Sequence, residues 1–113
     1  MDFPQYEKFT EEIIGVDVYW DNNTEHLIIF TVTDESTVNS IVKSLVNEAR
    51  FLRAGSSMND GGHGYIVLTD SNNTETTVSL FQIQYGTRKQ YYNYANADFY
   101  NLIRQIGQDT GEL

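Results

Sequence analysis

Cysteine is absent from this chain of 113 residues, and basic residues are few, with seven Lys and Arg against sixteen Asp and Glu. The lack of cysteine excludes a disulfide framework, a thiol nucleophile and a zinc site with thiolate ligands. The two histidines stand in separate segments. They therefore form no metal-binding motif, and no cofactor is predicted.

Long apolar runs are also missing. The first ten residues contain Asp2 and Glu7, and no apolar run follows them, so this segment does not have the pattern of a signal peptide. No stretch approaches the roughly 20 apolar residues that a membrane helix needs. We therefore expect a cytoplasmic protein without a membrane partner, and the length predicts a single domain over residues 1–113.

Acidic residues are concentrated near the start of the chain. Through Glu35 there are nine Asp and Glu against one base, Lys8, whereas the charges of the remaining 78 residues nearly cancel. A one-sided negative field repels nucleic acid and anionic membranes and attracts basic partners. The alternative is that the acidic surface only keeps the protein soluble.

The segment from His26 to Leu52 predicts a buried strand followed by a long helix. Leu27 to Val32 is an apolar run of β-prone residues with the length of a strand. Asp34 or Ser36 can cap the helix that follows, and Gly55 is a natural place for it to stop. The apolar positions of this helix recur at spacings of three and four and form one stripe, namely Val38, Ile41, Val42, Leu45, Ala49 and Leu52.

Two interpretations fit residues 2–14. One is a short helix that ends at Gly15, and the other is a strand that begins at Glu11. From Val16 to Trp20 apolar and polar residues alternate, which predicts a half-buried strand. Asp21 to Thr24 has turn chemistry, so this strand and the apolar run after it are predicted to form a hairpin.

Three further strands are predicted after a glycine-rich loop at residues 55–64. They are Tyr65–Thr69, Thr76–Tyr85 and Lys89–Tyr94. The alternation of the second strand changes phase between Leu80 and Phe81. This change indicates either a β-bulge or a central strand that is covered on both faces.

The last helix is predicted to begin with Asn96 as its cap and to end at Gly107. Its apolar positions share one face and are Phe99, Leu102, Ile103 and Ile106. The element order is therefore ββαβββα, with or without an extra N-terminal helix. We predict an α+β fold in which an antiparallel sheet of about five strands carries both helices on one face. The edge strands of such a sheet would also allow homodimerisation.

The glycine-rich loop does not have the order of a phosphate-binding loop. It follows a helix, leads into a strand and lacks the Gly-Lys-Ser/Thr ending. It is predicted to be either a flexible connection or a loop that contacts a partner through Asp60 and His63. The segment from Asp70 to Glu75 lacks the spacing of a calcium loop, so an Asx turn is predicted there.

Tyrosines gather in the last third of the chain, with Arg88 and Lys89 between them. Interleaved aromatics and bases can stack on single-stranded nucleic acid. Two bases in so acidic a chain are a poor electrostatic match, however, so no nucleic-acid partner is predicted. Of Tyr91 and Tyr92, which are consecutive in a strand, one must point away from the core and offers contact area to a partner. The alternative is that these tyrosines only edge the sheet.

Three functions are compatible with these features. The favoured one is a non-catalytic acidic protein-binding domain, such as an inhibitor or immunity-type protein, that docks on a basic protein surface. The alternative is a small-molecule-sensing or structural module that uses loop 55–64 and a cleft lined by Tyr65, Tyr92 and Tyr94. The third is a hydrolase-type enzyme with His26 or His63. The sequence contains no nucleophile signature, so the chain is predicted not to be an enzyme.

The predicted partner-binding residues combine the early acidic residues with the glycine-rich loop and the tyrosines. They are Glu11, Glu12, Asp17, Asp21, Glu25, Asp60, His63, Tyr91 and Tyr92.

Overall fold

The computed structural model describes residue 6 and residues 9–21, 27–53, 64–80, 82–85 and 90–113. In this part of the chain the elements, in order, are β1 Ile13–Asp21, β2 Leu27–Val32, α1 Glu35–Lys43, a π-helical segment Ser44–Glu48, β3 Phe51–Arg53, β4 Gly64–Asp70, β5 Glu75–Ser79, β6 Gln82–Tyr85, β7 Gln90–Tyr94 and α2 Asp98–Asp109. The predicted α+β class is confirmed. The described strands form two sheets, a four-stranded first sheet β2-β1-β4-β5 and a three-stranded second sheet β3-β7-β6, with every pairing antiparallel.

The buried face of the first sheet follows from period-two alternation in its central strand. In β1, Val16, Val18 and Trp20 are buried, and the residues between them are not. Both helices cover this face. Helix α1 packs on β1, and Tyr100 of α2 lies against Trp20 with ring centroids 4.6 Å apart. The core cluster contains residues from both sheets and both helices, so the described elements share one core.

Residues 9–15 follow the second interpretation, a strand, although β1 begins at Ile13 and not at Glu11, and Gly15 lies inside it. The described residues before Ile13 are not helical, and Tyr6 and Phe9 pack against the core cluster. A predicted N-terminal helix ending at Gly15 is therefore wrong for this part of the chain. The β-branched and aromatic residues that follow Gly15 favour a strand.

Helix α1 begins where the sequence predicts. The Asp34 carboxylate accepts hydrogen bonds from the Thr37 backbone N–H at 3.0 Å and from the Thr37 hydroxyl at 2.8 Å. The helix ends earlier than expected, however. After Lys43 the backbone forms a π-helical turn over Ser44–Glu48, which buries Ser44, Leu45 and Val46, and Ala49 is already extended.

Strand β3 replaces the predicted last turn of that helix. Phe51 is buried and lies 4.7 Å from Tyr94 between ring centroids, whereas Leu52 is 48% exposed. Helical spacing places Leu52 on the apolar stripe, but in a strand consecutive side chains point to opposite faces, so only one of the two can enter the core. The larger Phe51 does so, paired with Tyr94 of β7.

The predicted strand Thr76–Tyr85 is divided between the two sheets. Strand β5 ends at Ser79, Leu80 is buried, and β6 begins at Gln82 in the second sheet. The change of phase predicted between Leu80 and Phe81 is therefore the place where the chain leaves one sheet for the other. It is neither a bulge within one strand nor a continuous central strand.

Tyr94 connects the second sheet to the end of β5. Its hydroxyl donates a hydrogen bond of 3.0 Å to the Ser79 carbonyl oxygen, and its ring stacks on Phe99 of α2 at 5.5 Å between centroids. Burial raises the pKa of Tyr94 above its usual range. The hydroxyl therefore stays protonated, and able to donate, to a higher pH than the hydroxyl of an exposed tyrosine.

Helix α2 has the predicted apolar face but not the predicted end. Asn96 accepts a hydrogen bond of 2.9 Å from the Asp98 backbone N–H, while the helix continues through Gly107 to Asp109. It ends in a Schellman motif at Gly111, where φ is +82° and the Glu112 N–H donates to the Gly107 carbonyl at 2.8 Å. A Cβ atom at Gly107 would lie 2.5 Å from Cδ1 and 2.6 Å from Cγ of Leu113, so a larger residue there would require the Leu113 side chain to move.

Two glycines with positive φ provide a test of how closely the strands approach. We expect Gly64→Ala to lower the free energy of unfolding by more than about 3 kcal/mol. Gly64 has φ +104°, and a Cβ atom would collide with the Tyr19 carbonyl oxygen in the neighbouring strand. Gly111→Ala is the control, because Gly111 has φ +82° and open space around it, so only about 1–2 kcal/mol of backbone strain is expected. Urea unfolding measures both values, and equal losses would contradict the close approach.

The cap of α1 provides a test by pH. Hydrogen bonds from the Thr37 hydroxyl, and then from its backbone N–H, hold the pKa of Asp34 below its ordinary value. A group with a lowered folded-state pKa contributes stability above its unfolded pKa, and this is lost as the pH falls through the folded value. The Asp34→Ala variant should therefore melt at a lower temperature than wild type at pH 7, and the difference should shrink below about pH 4.

Asp34→Asn is the control for this experiment. The amide oxygen of asparagine still accepts the two hydrogen bonds but does not titrate. The melting temperature of this variant should stay near that of wild type at pH 7. If the difference in melting temperature between Asp34→Ala and wild type stayed constant down to pH 2, this would contradict a role for the ionised carboxylate.

Candidate functional site

The first sheet has a second face that no described helix covers, and we call it the open face. In β1, where Val16, Val18 and Trp20 enter the core, alternation places Asp17, Tyr19 and Asp21 on the open face. The strand register then adds side chains from the other three strands. These include Leu27, Ile29 and Thr31 of β2, Tyr65 and Val67 of β4, and Glu75 and Thr77 of β5.

Apolar and aromatic side chains occupy the middle of the open face. Tyr19 pairs with Ile29 on one side and with Tyr65 on the other. The two tyrosine rings stack with centroids 4.6 Å apart and planes 13° from parallel. Ile29 is 55% exposed, Leu27 53% and Tyr65 39%. Large apolar side chains gathered on one exposed face are typical of an interaction surface.

Carboxylates are interspersed with these apolar side chains. Asp17 lies opposite Thr31 and accepts a hydrogen bond of 2.6 Å from its hydroxyl, which fixes the carboxylate over β2. Asp21 lies opposite Leu27, and Glu75 stands at the start of β5. The four strands of this sheet contain no Lys or Arg. The four strands therefore contribute negative charges to the open face and no positive ones.

Glu11 and Glu12 extend the acidic character beyond the sheet. Both are exposed and directly precede β1. The Glu12 carbonyl accepts a hydrogen bond of 2.9 Å from the Ser71 N–H, which holds this segment beside the turn between β4 and β5. Among the residues that the structure describes, the ion pair Lys43–Glu48, at 3.9 Å, involves neither these glutamates nor the open face.

The structure places the other predicted partner-binding residues differently. Tyr92 belongs to the second sheet, is half-buried and packs against the core cluster, so it does not join Asp17 and Asp21 on the open face. Tyr91 lies in β7, and its side chain is outside the described residues. The predictions made for Glu25, His26, Asp60 and His63 also fall outside the described residues.

Sequence reasoning missed the apolar half of this surface. Tyr19 could have been found, because it alternates with Val18 and Trp20 and must face away from them. Ile29 and Leu27 could not, because they stand in an unbroken apolar run that predicts burial on both faces. The small-molecule alternative predicts that Tyr65 lines a pocket, whereas its ring stacks on Tyr19 on an exposed sheet face.

Among the described residues, no group of three or more His, Cys, Asp or Glu side chains is arranged to hold a metal ion. A cleft of about 50 Å³ lies between the π-helical segment and the start of α2, and Tyr94 is the only tyrosine in its lining. Ligand pockets usually measure about 300–1,000 Å³, so this cleft does not support the small-molecule alternative. The segment after Asp70 is the predicted Asx turn, since the Asp70 carboxylate accepts from the N–H groups of Asn72 and Thr74 at 2.8 and 2.9 Å.

The comparisons with known proteins identify no relative. No family model, no curated protein and no solved structure matches this chain. Within the described residues, no helix has the length and apolar character required to cross a membrane.

A double-mutant cycle tests whether the tyrosine pair is a defined feature of the open face. Tyr19→Ala and Tyr65→Ala should show a coupling free energy of about 0.5–1.5 kcal/mol in urea unfolding, because the rings stack on adjacent strands. The control cycle combines Tyr65→Ala with Leu52→Ala in the second sheet, where effects should add within about 0.5 kcal/mol. Additive effects for the two tyrosines would show that they do not stack in solution.

Proposed function

We propose that this protein is a non-catalytic binding domain whose open face docks on the basic surface of a protein partner, as an inhibitor or immunity-type protein would. The observation that carries the proposal is the combination of the stacked pair Tyr19 and Tyr65 with the exposed Ile29 and with carboxylates on a face whose strands lack any base.

The apolar middle of the open face favours a protein partner. Tyrosine and isoleucine side chains on a rigid sheet supply contact area at a small cost in conformational entropy, which is the composition of an interface core. The covered face of the same sheet holds the side chains in place, because Val18 and Trp20 anchor the strand that carries Tyr19. Such a surface is preorganised, so its side chains lose little conformational entropy when a partner binds.

The charge of the open face favours a basic partner. The whole chain has a formal net charge of −9, and carboxylates at Asp17, Asp21 and Glu75 share the open face with no base from its strands. Long-range attraction of this kind accelerates association and selects against acidic partners such as nucleic acid. Affinity should accordingly fall as salt concentration rises.

The experiment begins with affinity capture from an extract of the native host and mass-spectrometric identification of the captured protein. The dissociation constant of the complex between this partner and the protein is then measured by calorimetry at two salt concentrations. The measurement is made for wild type and for Asp17→Lys/Asp21→Lys. We expect this double charge reversal to weaken binding by about tenfold or more, which corresponds to about 1.4 kcal/mol.

Glu48→Lys/Glu112→Lys is the matched control, since it makes the same change in net charge at exposed positions outside the four strands of the first sheet. It should weaken binding by less than about threefold, through long-range charge alone. Equal losses for the two double variants would mean that net charge and not the open face attracts the partner. No loss for either would remove the proposal.

A further inference from the structure

Among the described strands, β2 forms one edge of the first sheet. It pairs with β1 on one side, and no described strand pairs with its other side. Natural edge strands are usually protected by lysine, proline, a bulge or shortness. Strand β2 has six residues, Leu27–Val32, with no charged residue and no proline, and its register with β1 is regular throughout. Within the described residues, no strand pairs with the outer backbone N–H and C=O groups of β2, and these are the groups that an added strand would use.

We propose that the basic partner binds by adding an extended segment to β2 as a fifth strand of the first sheet. This inference rests on the proposed function and specifies how the open face is used. Added strands obtain affinity from main-chain hydrogen bonds and specificity from alternate side chains. The alternate side chains of the added strand would extend the row of Ile29, Tyr19 and Tyr65 by one position.

The positions of the carboxylates define the sequence of that segment. Neighbouring strands lie about 4.8 Å apart, so a residue paired with Thr31 on the outer side of β2 lies about 10 Å from Asp17 at the Cα level. An arginine or lysine there can reach across the small Thr31 side chain to the Asp17 carboxylate, which already leans over β2 through the 2.6 Å hydrogen bond. Asp21 lies opposite Leu27 in the same way, so a basic residue paired with Leu27 lies at a similar Cα distance from Asp21, although its side chain must pass the larger Leu27 side chain.

The residue between these two positions meets a different surface. It pairs with Ile29, which is 55% exposed, so an apolar side chain is favoured there. The open-face side chains of the partner segment are therefore basic, apolar and basic at every second residue. This order is symmetric, so it is the same for either direction of the added strand.

A second copy of this chain fits the edge less well. Pairing β2 with itself would join two sheets whose strands carry carboxylates and no base, between molecules that each have a net charge of −9. A basic segment replaces that repulsion with attraction while forming the same backbone hydrogen bonds. Charge thus selects the basic segment as the occupant of the edge.

The test uses ¹⁵N-labelled full-length protein and a synthetic peptide probe, acetyl-Thr-Arg-Thr-Val-Thr-Arg-Thr-amide. The control peptide, acetyl-Thr-Thr-Arg-Arg-Val-Thr-Thr-amide, has the same composition and charge without the alternation. Because one short strand binds weakly, the titration extends to about 5 mM peptide. We expect saturable binding of the first peptide that is at least about fivefold tighter than that of the control.

The decisive readout is hydrogen exchange of the β2 amides. Every second amide from Leu27 to Val32 already pairs with β1, and the intervening ones should become protected when the peptide binds. Asp17→Lys/Asp21→Lys should weaken binding of the first peptide by about tenfold or more. Glu48→Lys/Glu112→Lys should leave the affinity for this peptide nearly unchanged.

The outcomes separate this inference from the proposed function. If a captured partner binds through Asp17 and Asp21 but the β2 amides gain no protection, strand addition is wrong and the open-face interface stands. Equal binding of the two peptides, or no saturable binding of either, also overturns strand addition. If the β2 amides of the protein alone become protected as its concentration rises, and sedimentation shows a dimer, a second copy occupies the edge and the inference falls.

Discussion

The rest of the structure depends on the alternation of side chains along β1. Because Val16, Val18 and Trp20 all enter the core, the first sheet must offer one complete apolar face to the helices. Both helices satisfy that requirement, and Tyr100 of α2 packs directly on Trp20. The same alternation directs Asp17, Tyr19 and Asp21 outward. One strand therefore specifies both the core and the surface that we propose as a docking site.

The second sheet extends the core beyond the reach of the first. The chain passes from one sheet to the other at the buried Leu80, and the Tyr94 hydroxyl bonds the Ser79 carbonyl at the end of β5. Phe51 enters the core beside Tyr94 because the helix before it ends in a π-helical turn, which leaves room for a short strand. The chain thus loses one further turn of helix and gains the burial of a large aromatic side chain. Burial of this kind stabilises the fold more than one further helical turn does.

The open face combines two properties that proteins usually keep separate. Exposed aliphatic side chains such as Ile29 lower solubility, whereas carboxylates raise it, and here both occur on neighbouring strands. The uncharged edge strand β2 lies beside Asp17 and Asp21 of β1. This arrangement discourages self-association through charge, and no described strand pairs with the outer side of β2, where we propose that a basic segment binds.

Patterns local to one element were readable in the sequence. The strand from Val16 to Trp20, the cap at Asp34 and the apolar face of α2 follow from alternation, side-chain chemistry and helical spacing, each of which acts within a few residues. The concentration of acidic residues before residue 36 is also visible in the sequence, and it predicts Asp17 and Asp21 as binding residues.

Tertiary contacts decided the rest. Whether Leu52 continues a helix or faces outward from β3 depends on a partner strand about forty residues away, and the role of Gly107 depends on where Leu113 packs. The exposure of Ile29 also depends on tertiary contacts. A strand that is covered on one face and a strand that is covered on both faces can have the same apolar sequence. The sequence by itself determined which segments could form strands and helices and where the charge would lie. Only the packing of two helices on one side of the sheet decided which apolar residues remained exposed on the other.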